Sequence, residues 1–249
     1  MPGPYRVLVF LEIALAVVTF VALRFTTAPY GRYQRAGWGV TMPARAGWLI
    51  MESVSPVLFA VVFLAGPRRA DLVALVLFAM WQSHYLYRSF VYPLLLRGGT
   101  RIPVVVVLLA IAFNVLNAGI NAYWIGTLGR YSDGWLDDPR FLVGAGLFAG
   151  GLTLHVWSDR KLRRLRASDG DRYQVPYGGP YRWVSCPNYL GEIVEWTGWA
   201  LATWSLAGLA FALYTAANLA PRALDHHAWY RRQFREYPAG RRALIPYVV

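Results

Sequence analysis

Apolar residues in this chain come in long, nearly unbroken runs separated by short polar segments, near 7–24, 46–66, 71–95, 103–127, 140–158 and 189–220. A helix that crosses a bilayer needs about 20 predominantly apolar residues, so each of the first five runs predicts one span. The sixth is too long for a single crossing. Ser205, following Ala202-Thr203-Trp204, is a helix-starting residue type in its middle, and it predicts two helices, the second continuing toward Tyr230. The expected fold class is therefore all-α, a multi-pass integral membrane bundle of seven transmembrane helices. No repeat, low-complexity tract or long polar linker divides the chain, so 1–249 reads as a single membrane domain.

Composition supports this reading. A chain of 249 residues with 57% hydrophobic and 15% charged residues is too apolar for an ordinary soluble domain. The net charge of +12 raises nucleic acid as a partner. Against that, the basic residues follow the loops of a membrane topology instead of forming one patch. With the N-terminus outside, Arg24, Arg32, Arg35, Arg45, Arg97, Arg101, the cluster Arg160–Arg182 and the cluster Arg222–Arg242 all fall inside. Arg68 and Arg69 run against this bias, and Arg88 is left within a span. The positive-inside rule then sets the orientation as N-out, C-in. The first run continues to Ala22 behind a single basic residue, Arg6, which predicts an uncleaved span in preference to a signal peptide. Cys186, the lone cysteine, excludes an intramolecular disulfide. Lys161 is the one lysine among 25 basic residues, which with the richness in Ala, Leu and Val suggests a high-GC bacterial source and so an inner membrane, the endoplasmic reticulum membrane being the eukaryotic alternative.

Several motifs are informative by what they exclude. Gly144-Ala-Gly-Leu-Phe-Ala149 meets the loosest dinucleotide fingerprint, but that fingerprint requires a strand before it, and here it lies inside a span. The spacing of Gly146 and Gly150 predicts close helix packing instead. No P-loop, HExxH or cysteine cluster is present, and no metal site is expected. Arg160-Lys-Leu-Arg-Arg-Leu-Arg166 begins at a span end and reads first as a cytoplasmic anchor. Arg163 and Arg166 also share a helical face beside Asp159, an arrangement of forked cations and a carboxylate that suits a phosphorylated nucleotide. Glu52 is a lone carboxylate inside the second apolar run, where the neutral form is favoured and can donate a hydrogen bond; its bland role is to partner Arg88 or His84. Tyr85, in the third run, reads by itself as an interfacial aromatic, and Tyr87 faces another side of the same helix.

Six segments appear together in one order: His84-Tyr-Leu-Tyr-Arg-Ser-Phe-Val-Tyr92, Tyr131-Ser-Asp-Gly-Trp135, Ser158-Asp159, Pro187-Asn-Tyr-Leu-Gly-Glu-Ile-Val-Glu-Trp196, Leu219-Ala-Pro-Arg-Ala-Leu-Asp-His-His-Ala-Trp-Tyr230 and Tyr237-Pro-Ala-Gly-Arg-Arg-Ala-Leu-Ile-Pro246. By these segments the chain resembles the steroid 5α-reductases over roughly 43–249. The resemblance implies NADPH-dependent reduction of the C4=C5 bond of a 3-oxo-Δ4 steroid such as testosterone, progesterone or androstenedione, by a membrane-embedded monomer. It implies an NADPH site at Asp159, Arg166, Tyr173, Asn188, Glu192, Arg222, His226 and Tyr230, to which the residue spacing adds Arg163. It also implies that Glu52 and Tyr85 hold the C3 ketone. Three positions depart from the family pattern: Met51 for a Gln in the human-type enzymes, His155 for Asn, and Asp225 for His. His155 reads as a satisfied core histidine or a nicotinamide-amide contact.

Other readings remain open at this level. The C-terminal region is also similar in pattern to membrane methyltransferases of the isoprenylcysteine carboxyl type, which have no use for Arg166 or for Glu52 plus Tyr85. Polyprenol and enoyl-thioester reductases would share the cofactor but not the substrate. A non-catalytic sterol-binding scaffold would bind no NADPH.

Overall fold

The computed structural model describes residues 1–96, 100–168 and 173–249, the side chains of 166–168 excepted. Helices dominate. They are α1 (Gly3–Phe25), α2 (Ala44–Ala65), α3 (Leu72–Leu86), the short α4 (Tyr92–Leu94), α5 (Val104–Tyr123), α6 (Pro139–Ser168), α7 (Pro187–Thr203) and α8 (Leu206–Gln233). A π-helical turn, Tyr87–Val91, joins α3 to α4, and a second, Trp124–Leu128, extends α5. With these joints counted, seven long rods stand among the described residues at the places of the predicted helices. Four of them, Gly3–Phe25, Ala44–Ala65, Val104–Leu128 and Pro139–Leu165, are long and apolar enough to cross a membrane. The predicted break at Ser205 is a helix start: its Oγ accepts the Gly208 N–H at 2.9 Å, after Trp204 turns the chain with a left-handed φ of 42°.

One element lies outside the all-α expectation. β1 (Thr41–Pro43) pairs antiparallel with β2 (Arg101–Pro103) in a two-stranded ribbon, Met42 opposite Ile102. Each strand ends in a proline that immediately precedes a helix, Pro43 before α2 and Pro103 before α5. Proline cannot donate to the ladder and its fixed φ suits a helix entry, so the ribbon closes where the two helices begin. The ribbon ties the start of α2 to that of α5.

The α6–α7 seam sets the architecture around the polar centre. A Cβ built on Gly144 would overlap the Ala202 backbone, and one on Gly198 the Phe148 backbone. One on Gly151 would overlap the Glu195 backbone, and one on Gly191 that of His155. Each helix thus contributes two glycines seven residues apart, two full turns on one face, and the two backbones touch. The expected packing glycines were Gly146 and Gly150. Both face open space, so the close-packing inference is right for α6 but its residues are Gly144 and Gly151. Spacing alone cannot tell which face of an all-apolar helix meets a partner.

Behind this seam lies an aromatic core centred on Trp81, whose ring lies 4.5 Å from Phe59, 4.9 Å from Tyr85, 5.3 Å from Trp199 and 5.4 Å from Trp196, centroid to centroid. These contacts fix α3 against α2 and α7. Gly151→Ala and Gly198→Ala are expected to cost about 1–3 kcal/mol each by overpacking, while Gly146→Ala leaves stability unchanged or raised, because alanine is the better helix former. Thermal unfolding in detergent checks the contrast; equal effects at all three positions would refute the seam.

Candidate functional site

Glu52 owes its setting to a proline. Pro56 has no N–H, so the Glu52 carbonyl loses its helical partner; Ser89 Oγ donates to it instead, at 2.8 Å. Ser89 sits on the π turn after α3, and the same turn presents Arg88, whose Nε lies 3.5 Å from Glu52 Oε1. Of the two partners that the sequence offers Glu52, Arg88 and His84, the structure places Arg88 against it. Arg88 also lies in the field of Glu192 and Asp159. Glu52, Tyr85 and Met51 line one cavity of about 330 Å³, closed further by Phe113, Asn114 and Phe211. Asn114 Nδ2 donates to the Met51 carbonyl at 2.7 Å, pinning α5 to α2 at the cavity wall.

A second cavity opens beside the first and shares Tyr30, Trp48, Arg88, Glu192, Leu219 and Arg222 with it. It gathers Asp159, Arg163, Tyr173, Asn188, Glu192, Arg222, His226 and Tyr230, eight of the nine residues expected at a cofactor. The ninth, Arg166, has its side chain outside the described residues. Local contacts explain their positions. Asn188 at the start of α7 donates through Nδ2 to Asp159 Oδ1 at 3.2 Å, and His155 lies 3.5 Å from Asp159 Oδ2 and 3.3 Å from Glu192 Oε2. Arg163 Nη1 donates to the Tyr87 hydroxyl at 3.0 Å, so Tyr87 holds a residue of this cavity while Tyr85 lines the other. Arg222 lies over the Tyr30 and Tyr189 rings. The two ring nitrogens of His226 meet the hydroxyls of Tyr33 at 3.1 Å and Tyr189 at 3.0 Å.

The segment between α1 and α2 lies along this cavity, a role that sequence reasoning did not assign. Thr27, Tyr30, Gly31, Arg32 and Tyr33 all line it. Arg32 sits over three rings, Tyr173 at 4.7 Å, Trp229 at 4.5 Å and Tyr230 at 4.8 Å, and its Nη1 is buried with no hydrogen-bond partner. Burial pushes the Tyr33 hydroxyl up to about 12, with Arg32 opposing and Asp225 adding to the shift. Asp225, at one departure from the family pattern, accepts from Thr27 Oγ1 at 3.2 Å and so holds this segment to α8. The signal was present in Tyr30-Gly-Arg-Tyr33, where aromatic and basic residues interleave, but Arg32 was counted only toward topology. Arg88 carried the plainer signal, a charge inside a span.

A pair further inside also escaped assignment. His84 Nδ1 and Glu195 Oε1 lie 2.8 Å apart, and both residues are essentially fully buried.

With this geometry in view, the comparisons with known proteins identify the class. The model of the 3-oxo-5-alpha-steroid 4-dehydrogenase family matches residues 100–249. The chain is 41% identical over 246 residues to 3-oxo-5-alpha-steroid 4-dehydrogenase 1 of Bos taurus, covering 97% of this chain and 96% of that protein. It is 38% identical to 3-oxo-5-alpha-steroid 4-dehydrogenase 1 of Homo sapiens, covering 97% and 94%. It is 41% identical to steroid 5-alpha-reductase DET2 of Arabidopsis thaliana, covering 92% and 91%. The chain belongs to the 3-oxo-5-alpha-steroid 4-dehydrogenase family and is an oxidoreductase. Its long apolar helices are those of a membrane protein.

Cys186, which lines the second cavity, is buried, and burial pushes its thiol up to about 12 against the pull of Arg32 and Arg222. At neutral pH it holds its proton and is a poor nucleophile. A maleimide is expected to label the folded protein slowly and the denatured protein at once; rapid native labelling, read by mass spectrometry, would contradict this.

Proposed function

We propose that this protein reduces the C4=C5 bond of 3-oxo-Δ4 steroids to 5α-steroids with NADPH. The observation that carries the proposal is the pair of joined cavities, one lined by Glu52 and Tyr85 and the other by eight polar residues expected at a cofactor. A space of about 330 Å³ lies in the range that holds a compact, rigid ligand of steroid size. Its wall sets apolar residues such as Met51, Leu109, Phe113 and Phe211 against polar ones, among them Glu52, His84, Arg88 and Asn114, which gives an apolar ligand a body to pack on and groups to orient it.

The cofactor side has the right donor chemistry. Arg32, Arg163 and Arg222 supply cations for pyrophosphate and 2′-phosphate, to which the family resemblance adds Arg166, and the unpartnered Arg32 Nη1 is a donor awaiting an acceptor. Asn188 and Asp159 suit ribose and amide groups, Glu192 stands where the two cavities meet, and Tyr173, His226 and Tyr230 complete the wall. When bound, NADPH supplies the hydride that C5 receives. Negative charge then builds on the C3 oxygen. Tyr85 and neutral Glu52 donate hydrogen bonds to it, each well-placed donor contributing about 3–4 kcal/mol at the transition state. Arg88 steadies Glu52 from behind while its charge is drawn toward Glu192 and Asp159.

The same reading makes 1–249 one domain of seven spans, N-out and C-in, acting as a monomer in a bacterial inner membrane. The arginine-rich ends of α6 and α8 then face the cytoplasm, the source of NADPH. A C-terminal alkaline-phosphatase fusion is expected to be inactive; periplasmic activity would reject the topology.

Purified protein incubated with NADPH and testosterone or progesterone is expected to yield the 5α-dihydro product, gaining two mass units. Tyr85→Phe and Glu52→Gln should lower turnover by about 10²-fold or more with NADPH affinity nearly intact. Wild-type turnover in a Tyr85→Phe, Glu52→Ala double variant would reassign both residues to structure. Arg166→Ala should lose about 1.5–3 kcal/mol of NADPH binding and with it the preference over NADH. An unchanged preference would leave the arginine run as an anchor only.

A further inference from the structure

The reduction leaves one atom unsupplied: the enolate carbon C4 must receive a proton, and Tyr85 is already engaged on the C3 oxygen. His84 precedes Tyr85 in α3, lines the same cavity, and stands edge-on to the Tyr85 ring at 4.9 Å between centroids. Its Nδ1 is taken by Glu195 at 2.8 Å, which leaves Nε2 to the cavity. Glu195 is fully buried on α7, and its second oxygen, Oε2, has no hydrogen-bond partner. An unpartnered buried oxygen costs far less on a neutral acid than on a carboxylate. A buried ionisable pair inside the bilayer is costly unless it is used, and holding the C3 oxygen gives this one no use.

We infer that His84 and Glu195 together deliver the proton to C4, His84 as the donor that touches substrate and Glu195 as the residue that positions and recharges it. This rests on the reductase reading above. The step balances without an imidazolate. As the enolate π electrons form the C4–H bond, the His84 Nε2–H bond breaks. The Glu195 proton passes to Nδ1, so that His84 ends neutral with its proton on Nδ1 and Glu195 ends as the carboxylate. The steroid, anionic after hydride arrival, becomes the neutral ketone, and the pair takes up the negative charge. One proton from solvent restores it. The return path lies toward the cofactor cavity, where the His155 ring stands 5.8 Å from that of His84 and itself lies between Asp159 and Glu192.

The test compares Glu195→Gln, Glu195→Asp and His84→Gln with wild type on a 3-oxo-Δ4 steroid. Turnover is read in H2O and D2O and with NADPH deuterated at the transferred position. Steroid binding is followed separately by tryptophan fluorescence. In Glu195→Gln the amide keeps a hydrogen bond to Nδ1 but cannot pass a proton. We expect kcat to fall 10- to 100-fold with steroid affinity within about twofold of wild type. The solvent isotope effect on kcat should rise and the deuteride effect shrink, because proton transfer has become the slow step. His84→Gln should behave alike, and Glu195→Asp should recover part of kcat. Unchanged isotope effects in Glu195→Gln and His84→Gln, whether or not kcat falls, would overturn the proposal and leave the pair structural. So would a fall in kcat that follows lost steroid binding. No steroid reduction by the wild-type protein would instead overturn the reductase reading itself.

Discussion

The close approach of backbone against backbone along α6 and α7 is the constraint on which the polar centre depends. Gly144 and Gly151 on one helix and Gly191 and Gly198 on the other leave no room for a single methyl group. Because the axes are drawn together, side chains that flank the glycines are forced into one another's reach. His155 and Asp159 of α6 meet Glu192 and Asn188 of α7 at 3.2–3.5 Å. Glu195, one turn on from Gly191, reaches His84 on α3. A wider seam would draw these side chains out of one another's reach.

A second device works on α2 and α3. Two departures from regular α-helix face each other, Pro56 in α2 and the π turn Tyr87–Val91 after α3. The proline frees the Glu52 carbonyl and the turn offers Ser89 to satisfy it, so a missing backbone hydrogen bond becomes an inter-helix tie. The same turn carries Arg88 to the Glu52 side chain and Tyr87 to Arg163, while Tyr85, two residues earlier on α3, lines the cavity of Glu52. Irregular helix at membrane depth is tolerated where side chains re-satisfy the freed groups and where it lines a cavity. Both conditions hold here.

Charge inside the bundle is organised around Arg88. It faces Glu52 in the first cavity and lies in the field of Glu192 and Asp159 in the second, and it lines both. The surrounding aromatic cage, with the Trp48 ring 4.5 Å from its guanidinium and Tyr92 at 5.1 Å, replaces part of the water that a free arginine would hold. The centre therefore binds its charges to one another, and the apolar shell around it stays intact.

Much of this was legible in the chain itself. Long apolar runs set the number and limits of the helices, since a bilayer or a buried core demands them whatever the partners. Ser205 marked the start of α8 because a helix end needs a side-chain acceptor, and that is a local requirement. The motif residues from Asp159 to Tyr230 were legible through their resemblance to a family, and the structure gathers eight of nine around one cavity. What the sequence left undecided concerns contacts between distant segments. Which glycines form the seam depends on the face that α6 turns toward α7, and in an apolar helix no periodicity records it. The segment around Arg32, the Arg88–Glu52 contact and the His84–Glu195 pair join residues up to about two hundred positions apart. Their meaning appears only when packing brings them together, because a charge or an aromatic ring has no role until its neighbours are fixed.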